Sequence, residues 1–189
     1  MSSTCGVLVI NRTTPVKVPE LLDGPFLTRN GITYHQESNE PINGIVELFY
    51  DTGQLEERTT YKNGIKEGLR ESFYKDGQLR IKGTYKDDKQ EGLVEGFREN
   101  GQRWWRGNWK GGTRDGLVES FDGDGQLEIR ENYKGGIRDG LLEGFRDNGQ
   151  LWIRGNCKDG KQEGIWETFD EGGNSTGTET YKDGVLQKE

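Results

Sequence analysis

His35 is the only histidine of this chain and Cys5 and Cys157 its only cysteines, so nucleophile–base chemistry has one base and two thiols to draw on. His35 carries no companion motif, and an activated nucleophile needs a base within hydrogen-bond reach, itself oriented by a third group. No enzyme is expected. The same three side chains make a poor zinc site, and two cysteines are too few for a disulfide framework. Neither metal nor cofactor is expected. The pairs Gly111-Gly112 and Gly135-Gly136 lead into no helix and carry no lysine-serine or lysine-threonine ending, so they read as turns and not as phosphate cradles.

Two further sets of residues carry charge in a pattern. Glu47, Glu71, Glu95, Glu119, Glu143 and Glu167 recur at one spacing. Carboxylates in a row could serve sugar hydrolysis, but equivalent acids at one repeat position point to a structural duty. Each is expected to accept hydrogen bonds from a neighbouring turn or a tyrosine hydroxyl, as a carboxylate near an apolar face must. The second set is Arg98, Trp104, Arg106, Arg146, Trp152 and Arg154. Tryptophan beside arginine is the composition of interface hot spots and of cation–π contacts.

These spacings belong to a repeat. Glycine returns every 24 residues from Gly44 to Gly164, phenylalanine from Phe49 to Phe169, and lysine from Lys62 to Lys182. A fixed period of this size means stacked supersecondary units, so fold and function must be argued from the unit and its variations. Within each unit Asp76-Gly77, Asn100-Gly101, Asp124-Gly125 or Asn148-Gly149 separates two short alternating runs, which is a hairpin signal. A second turn, such as Asn63-Gly64 or Asp159-Gly160, links one hairpin to the next. No helical period occurs. The fold class is all-β: an elongated, single, twisted antiparallel β-meander of six 24-residue hairpins. Residues 1–43 are assigned to an N-terminal segment and cap, with Phe26, Leu27, Ile32 and Tyr34 around Asn30-Gly31, and residues 44–187 to the six repeats.

Register follows from the apolar positions. Leu79, Ile81 and Tyr85 join Phe73 on one face if Phe73 sits opposite Leu79, which requires a three-residue loop with its glycine in the left-handed region. The opposite face then sets Gly96 across from Trp104 and Gly144 across from Trp152, so that an indole covers the backbone each glycine leaves bare. On that polar face Arg98, Arg106, Arg146 and Arg154 are expected to surround the two tryptophans, with Arg58, Lys82 and Arg130 extending the basic row. The row is either a partner-binding surface or a solvated ladder whose tryptophans only cover glycine.

Composition bounds the rest. With 33 acidic against 26 basic side chains the net charge is −7, which argues against a phosphate-backbone binder and suits basic protein partners. No stretch approaches a membrane span, and Gly6–Ile10 is too short and lacks the basic lead-in of a signal peptide. Cys5, followed by Gly6, is either an ordinary thiol or the lipid-bearing cysteine of an envelope protein; membrane association is expected only in the second case.

The glycine-opened strand, the Asn-Gly-Gln turns, the closing Tyr-Lys and the acidic-Gly join resemble the variant MORN repeat of bacteria. The segment Thr28–Tyr34, followed by Glu40–Gly44, resembles the lead-in of YwqK-family antitoxin proteins. The resemblance implies a β-ribbon that binds another protein: an antitoxin or immunity protein whose partner is a cognate toxin or a secreted effector, including phospholipase-type effectors. It places such a protein in the bacterial periplasm or envelope, with the cytoplasm as alternative. A MORN-type scaffold associated with membrane lipid, or a general protein-interaction module, is the competing reading. Arg103 in place of leucine, Trp109 and Cys157 in place of tyrosine, and Asp88 in place of a turn glycine mark where units depart from the pattern.

Overall fold

In a computed structural model the structure describes residues 21–22 and 25–188. Cys5 lies outside the described residues. Among these the protein is all-β, without a helix, and its strands form antiparallel meanders. It divides into two compact units, residues 1–101 and residues 102–189.

The first unit holds β1 (Leu21–Leu22), β2 (Phe26–Arg29), β3 (Ile32–His35), β4 (Gly44–Phe49), β5 (Leu55–Lys62), β6 (Ile65–Phe73), β7 (Leu79–Lys86) and β8 (Lys89–Phe97). β4 to β8 pair in sequence order, each antiparallel to the last. β2 and β3 form a separate hairpin around Asn30 and Gly31, which take φ of 52° and 78°. That hairpin caps the first repeat through backbone bonds: Thr33 N–H donates to Gly64 O at 2.8 Å and Ile42 N–H to Thr33 O at 3.1 Å. The strand beside β4 is nevertheless β1, which pairs with it in parallel.

The second unit holds β9 (Arg103–Lys110), β10 (Thr113–Phe121), β11 (Leu127–Lys134), β12 (Ile137–Phe145), β13 (Leu151–Lys158), β14 (Lys161–Phe169), β15 (Ser175–Lys182) and β16 (Val185–Leu186). These too pair in sequence order. In neither unit does pairing close a barrel.

Turn chemistry explains the repeat. The hairpin loop has three residues: Tyr74 N–H donates to Gln78 O at 2.8 Å, and Gly77 stands at φ 88°. Phe73 lies opposite Leu79, as the apolar pattern requires. The linking turn has two residues, both at positive φ, as at Asn63 (51°) and Gly64 (75°), the geometry that suits a right-twisted hairpin. Its acid-glycine join has a specific purpose. The residue before a periodic glycine accepts from the turn 20 residues on: Asn63 N–H donates to Asn43 Oδ1, Gly135 N–H to Asp115 Oδ2 and Asp183 N–H to Glu163 Oε2. The periodic glycine opens β4, at Gly44, but lies inside the later strands. In β6 it sits inside a bulge, with Gly68 at φ 118° and pressed against Thr60, a conformation closed to other residues.

One expectation is overturned by a second bulge. Phe73 pairs with Leu79 and Ser72 with Ile81, which leaves Arg80 as an extra residue. Because one inserted residue reverses every later side chain, Ile81 and Tyr85 face away from Phe73 and Leu79, and no single face collects the apolar set. Both faces are half covered instead. One carries Leu69, Glu71 and Phe73; the other carries Ser72, Gly83 and Val94, whose side chain is 0% exposed.

Candidate functional site

The recurrent glutamates stand directly opposite arginine or lysine, on the face that also carries the phenylalanines. Within the first unit Glu47 pairs with Arg58, Arg58 with Glu71, and Glu71 with Lys82 in successive strands. Within the second, Arg106, Glu119, Arg130, Glu143, Arg154 and Glu167 form one unbroken row. Arg58 Nη2 lies 2.6 Å from Glu47, Arg106 Nε 2.5 Å and Arg130 Nε 3.1 Å from Glu119, and Arg154 Nη2 2.7 Å from Glu167. Their guanidinium groups also lie over the neighbouring rings: Arg106 over Phe121 at 5.9 Å and Arg154 over Phe169 at 5.7 Å. The glutamates are therefore structural, but their donors are cross-strand cations and not the turns or tyrosines expected of them. Tyrosine hydroxyls serve different acids, Tyr133 donating to Glu131 at 2.7 Å and Tyr181 to Glu179 at 2.6 Å.

Glu119 is the most enclosed of the row, at 3% exposure. Burial pushes its carboxyl up, but the hydrogen bonds from Arg106 and then Arg130, with their charges, outweigh burial and hold it below the usual carboxylate range. A group whose folded pKa is depressed contributes stability above its unfolded value, about 4.3 for glutamate, and that contribution is lost as pH falls through the folded value. Glu119→Gln is therefore expected to cost about 1–2 kcal/mol at pH 7 and to be matched by wild type in strong acid. Urea unfolding at pH 7 and in strong acid reads the difference; a constant gap at both would contradict it.

This ladder places the six candidate binding residues differently from the sequence expectation. Arg106 and Arg154 belong to the ladder face. Trp104 and Trp152 belong to the other: the Trp104 ring meets that of Trp105 edge-on at 5.7 Å, and Trp105 alternates with Arg106 along β9. Trp152 is an extra residue in a bulge, between Leu151 opposite Phe145 and Ile153 opposite Gly144. Gly144 thus pairs with Ile153 and not with Trp152. The indole covers it all the same, since a Cβ on Gly144 would fall 2.5 Å from Trp152 Nε1. Arg154 does not flank Trp152, because the bulge turns the two to opposite faces.

Arg146 remains near Trp152. The two line, with Phe145, Asp147, Asn148 and Glu171, a shallow depression of about 470 Å³ at the hairpin-loop edge of the second unit. Arg146 Nη2 donates to Phe169 O at 2.7 Å, a bond that fastens one repeat to the next. Tyr50 and Tyr74 do the same from the equivalent position, to Phe73 O and Phe97 O. Arg98 holds that position in the first unit. Trp104 and Trp152 are 42% and 41% exposed, whereas Trp166 of the same face is 7% exposed.

His35 packs edge-on against Phe26 in the cap hairpin, in the first unit, while Cys157 is buried in the second, where burial pushes its thiol up. Among the described residues no three His, Cys, Asp or Glu side chains gather into a group able to hold a metal ion.

Sequence reasoning missed the bulge row itself. Its members are Glu56, Arg80, Glu128, Trp152 and Thr176, each the one unpaired residue after a hairpin loop, and Trp104 occupies the equivalent place in β9. The signal was present in the 48-residue alternation of Trp104 and Trp152, read there as a cross-strand pair.

Comparison with known proteins agrees with this geometry. The MORN repeat variant model matches residues 42–63, 66–87, 114–134 and 162–183. No curated protein matches the chain. Among solved structures, S. aureus TarM, determined as a mutant in complex with fondaparinux, α-GlcNAc-glycerol and UDP, is 14% identical, with a TM-score of 0.35. That similarity covers 51% of this chain and 19% of the TarM chain. MORN repeats suggest a binding module. The four matched segments fall in register with the hairpins described above, so the repeats of this chain are similar to the variant MORN repeat.

Proposed function

We propose that the protein is a non-enzymatic antitoxin or immunity protein, which binds a cognate toxin or secreted effector and blocks it by occlusion. One observation carries the reading. The repeats satisfy their own charges through the ladder and the turn seams, yet Trp104 and Trp152 stand about two-fifths exposed, at 42% and 41%, on one face, Trp152 on a bulge. A bulge re-aims a side chain without disturbing the strands beside it, and exposed tryptophan is the residue on which interfaces concentrate their affinity. The net charge of −7 favours encounter with a basic partner. Arg106 and Arg154 are committed to Glu119 and Glu167, and Arg146 to the Phe169 carbonyl, which leaves Trp104 and Trp152 as the partner-binding residues. The same commitment weighs against the membrane-scaffold alternative, because the ladder arginines are not available to anionic head groups.

Co-expression tests the reading. A toxic open reading frame adjacent to this one should arrest growth alone and spare it when this chain is present. The two purified products should also form a complex that elutes together in size-exclusion chromatography. Persistent arrest together with separate elution would overturn the proposal.

A further inference from the structure

Between Trp104 and Trp152 in the bulge row stands Glu128, the residue after Leu127, which lies opposite Phe121. It is exposed, and it joins neither the ladder nor any turn, unlike Glu119, Glu143 and Glu167. Three observations bring it together with Trp152. Glu128 and Trp152 hold the same bulge position two strands apart, roughly 10 Å across the sheet. The Trp152 indole lies over Gly144, and Gly144 on β12 pairs with Ile129, the residue next to Glu128, so the ring occupies the strand that separates the two bulge positions. The strand between them presents glycine at that point, which leaves the space above it to the indole.

We infer that Glu128 and Trp152 form a seat for an arginine or lysine side chain on an extended segment of a protein partner, the carboxylate taking its charge and the indole its flat or aliphatic part. The inference rests on the reading of the chain as a partner-binding protein and adds the chemistry of what is bound. Lone exposed carboxylates contribute little to binding, but a carboxylate beside an indole offers a cation both charge and a π face. The acidic surface as a whole raises the local concentration of such a segment. Trp104, two strands beyond Glu128 in the same row, offers a second aromatic contact to an extended chain lying across the strands. Nothing else in the fold needs Glu128, so its replacement leaves the repeats intact.

The test uses the full chain, isotope-labelled, titrated with an unstructured hexapeptide of alternating glycine and arginine. The indole N–H signal of Trp152, identified by its loss in Trp152→Phe, and the Glu128 amide are expected to move most. Glu128→Arg is expected to weaken the peptide at least tenfold and Glu128→Gln about fivefold, with circular dichroism unchanged. If the charge reversal perturbs folding, the glutamine variant decides. An alternating glycine–glutamate peptide should move neither signal. Shifts centred on the loop acids Asp122, Asp124 and Asp147, or peptide affinity within twofold of wild type in both Glu128 variants, would overturn the seat. Growth rescue separates this from the broader reading: rescue retained by Glu128→Arg but lost in Trp104→Ala with Trp152→Ala would remove the seat and leave the toxin-binding proposal standing.

Discussion

Gly155→Ala is expected to destabilise the second unit by about 1–3 kcal/mol, and Trp166→Ala by about 3–5 kcal/mol, yet the two together should cost little more than Trp166→Ala alone. The reason is a shared volume. A Cβ on Gly155 would fall 2.5 Å from Trp166 Cγ and closer still to Cδ2 and Cε2, because the indole lies flat over the glycine in the register gap between Arg154 and Asn156. The ring is anchored there, its Nε1 donating to Asn156 O at 3.2 Å and its edge meeting Tyr181 at 6.3 Å. Removing the ring leaves a hole that an added methyl can enter. Urea denaturation of the four chains closes a double-mutant cycle; additive losses would show that the methyl and the indole do not compete.

Partner binding should respond as strongly. Trp104→Ala combined with Trp152→Ala is expected to weaken the complex with the cognate toxin by about 2–4 kcal/mol, roughly 30- to 1,000-fold. Thermal unfolding should stay cooperative, since both indoles are about two-fifths exposed, at 42% and 41%. Arg154→Ala offers the contrast. It strips the ladder's contact with Glu167 and is expected to lower stability slightly, with affinity unchanged. Titration calorimetry of the three proteins against the toxin reads both effects, and equal affinities for wild type and the tryptophan double variant would discard the surface.

Much of this architecture was legible in the residues. The Asp-Gly and Asn-Gly doublets define the hairpin loops, and pairing Phe73 with Leu79 follows from apolar spacing and a loop glycine. What was not legible arises from single residues that leave no trace in composition. Arg80 and its counterparts at positions 56, 128, 152 and 176 are inserted after register is set, so a period-2 reading carried past them assigns Ile81, Arg106 and Arg154 to the wrong sides. The acid before most periodic glycines stood in the sequence only as part of the acidic-Gly join. Its bond runs 20 residues ahead, from Gly135 N–H to Asp115 for example, and no local pattern announces a partner at that distance. Trp152 over Gly144 was found despite the wrong pairing, because size complementarity survives a one-residue slip when the side chain is as long as indole.

Several seams between neighbouring repeats draw one group from each: Asn43, Asp115 or Glu163 below and a turn amide above on one edge, Tyr50, Tyr74 or Arg146 and a phenylalanine carbonyl on the other. Hairpins joined in this way meet through the same groups at the same positions, so duplication or loss of one 24-residue unit between them leaves matching edges to be joined. What such an event alters is the order in which Glu, Arg and Trp follow one another along the bulges. Such an exchange would reorder the exposed side chains of the bulges while leaving the bonds that join these hairpins in place.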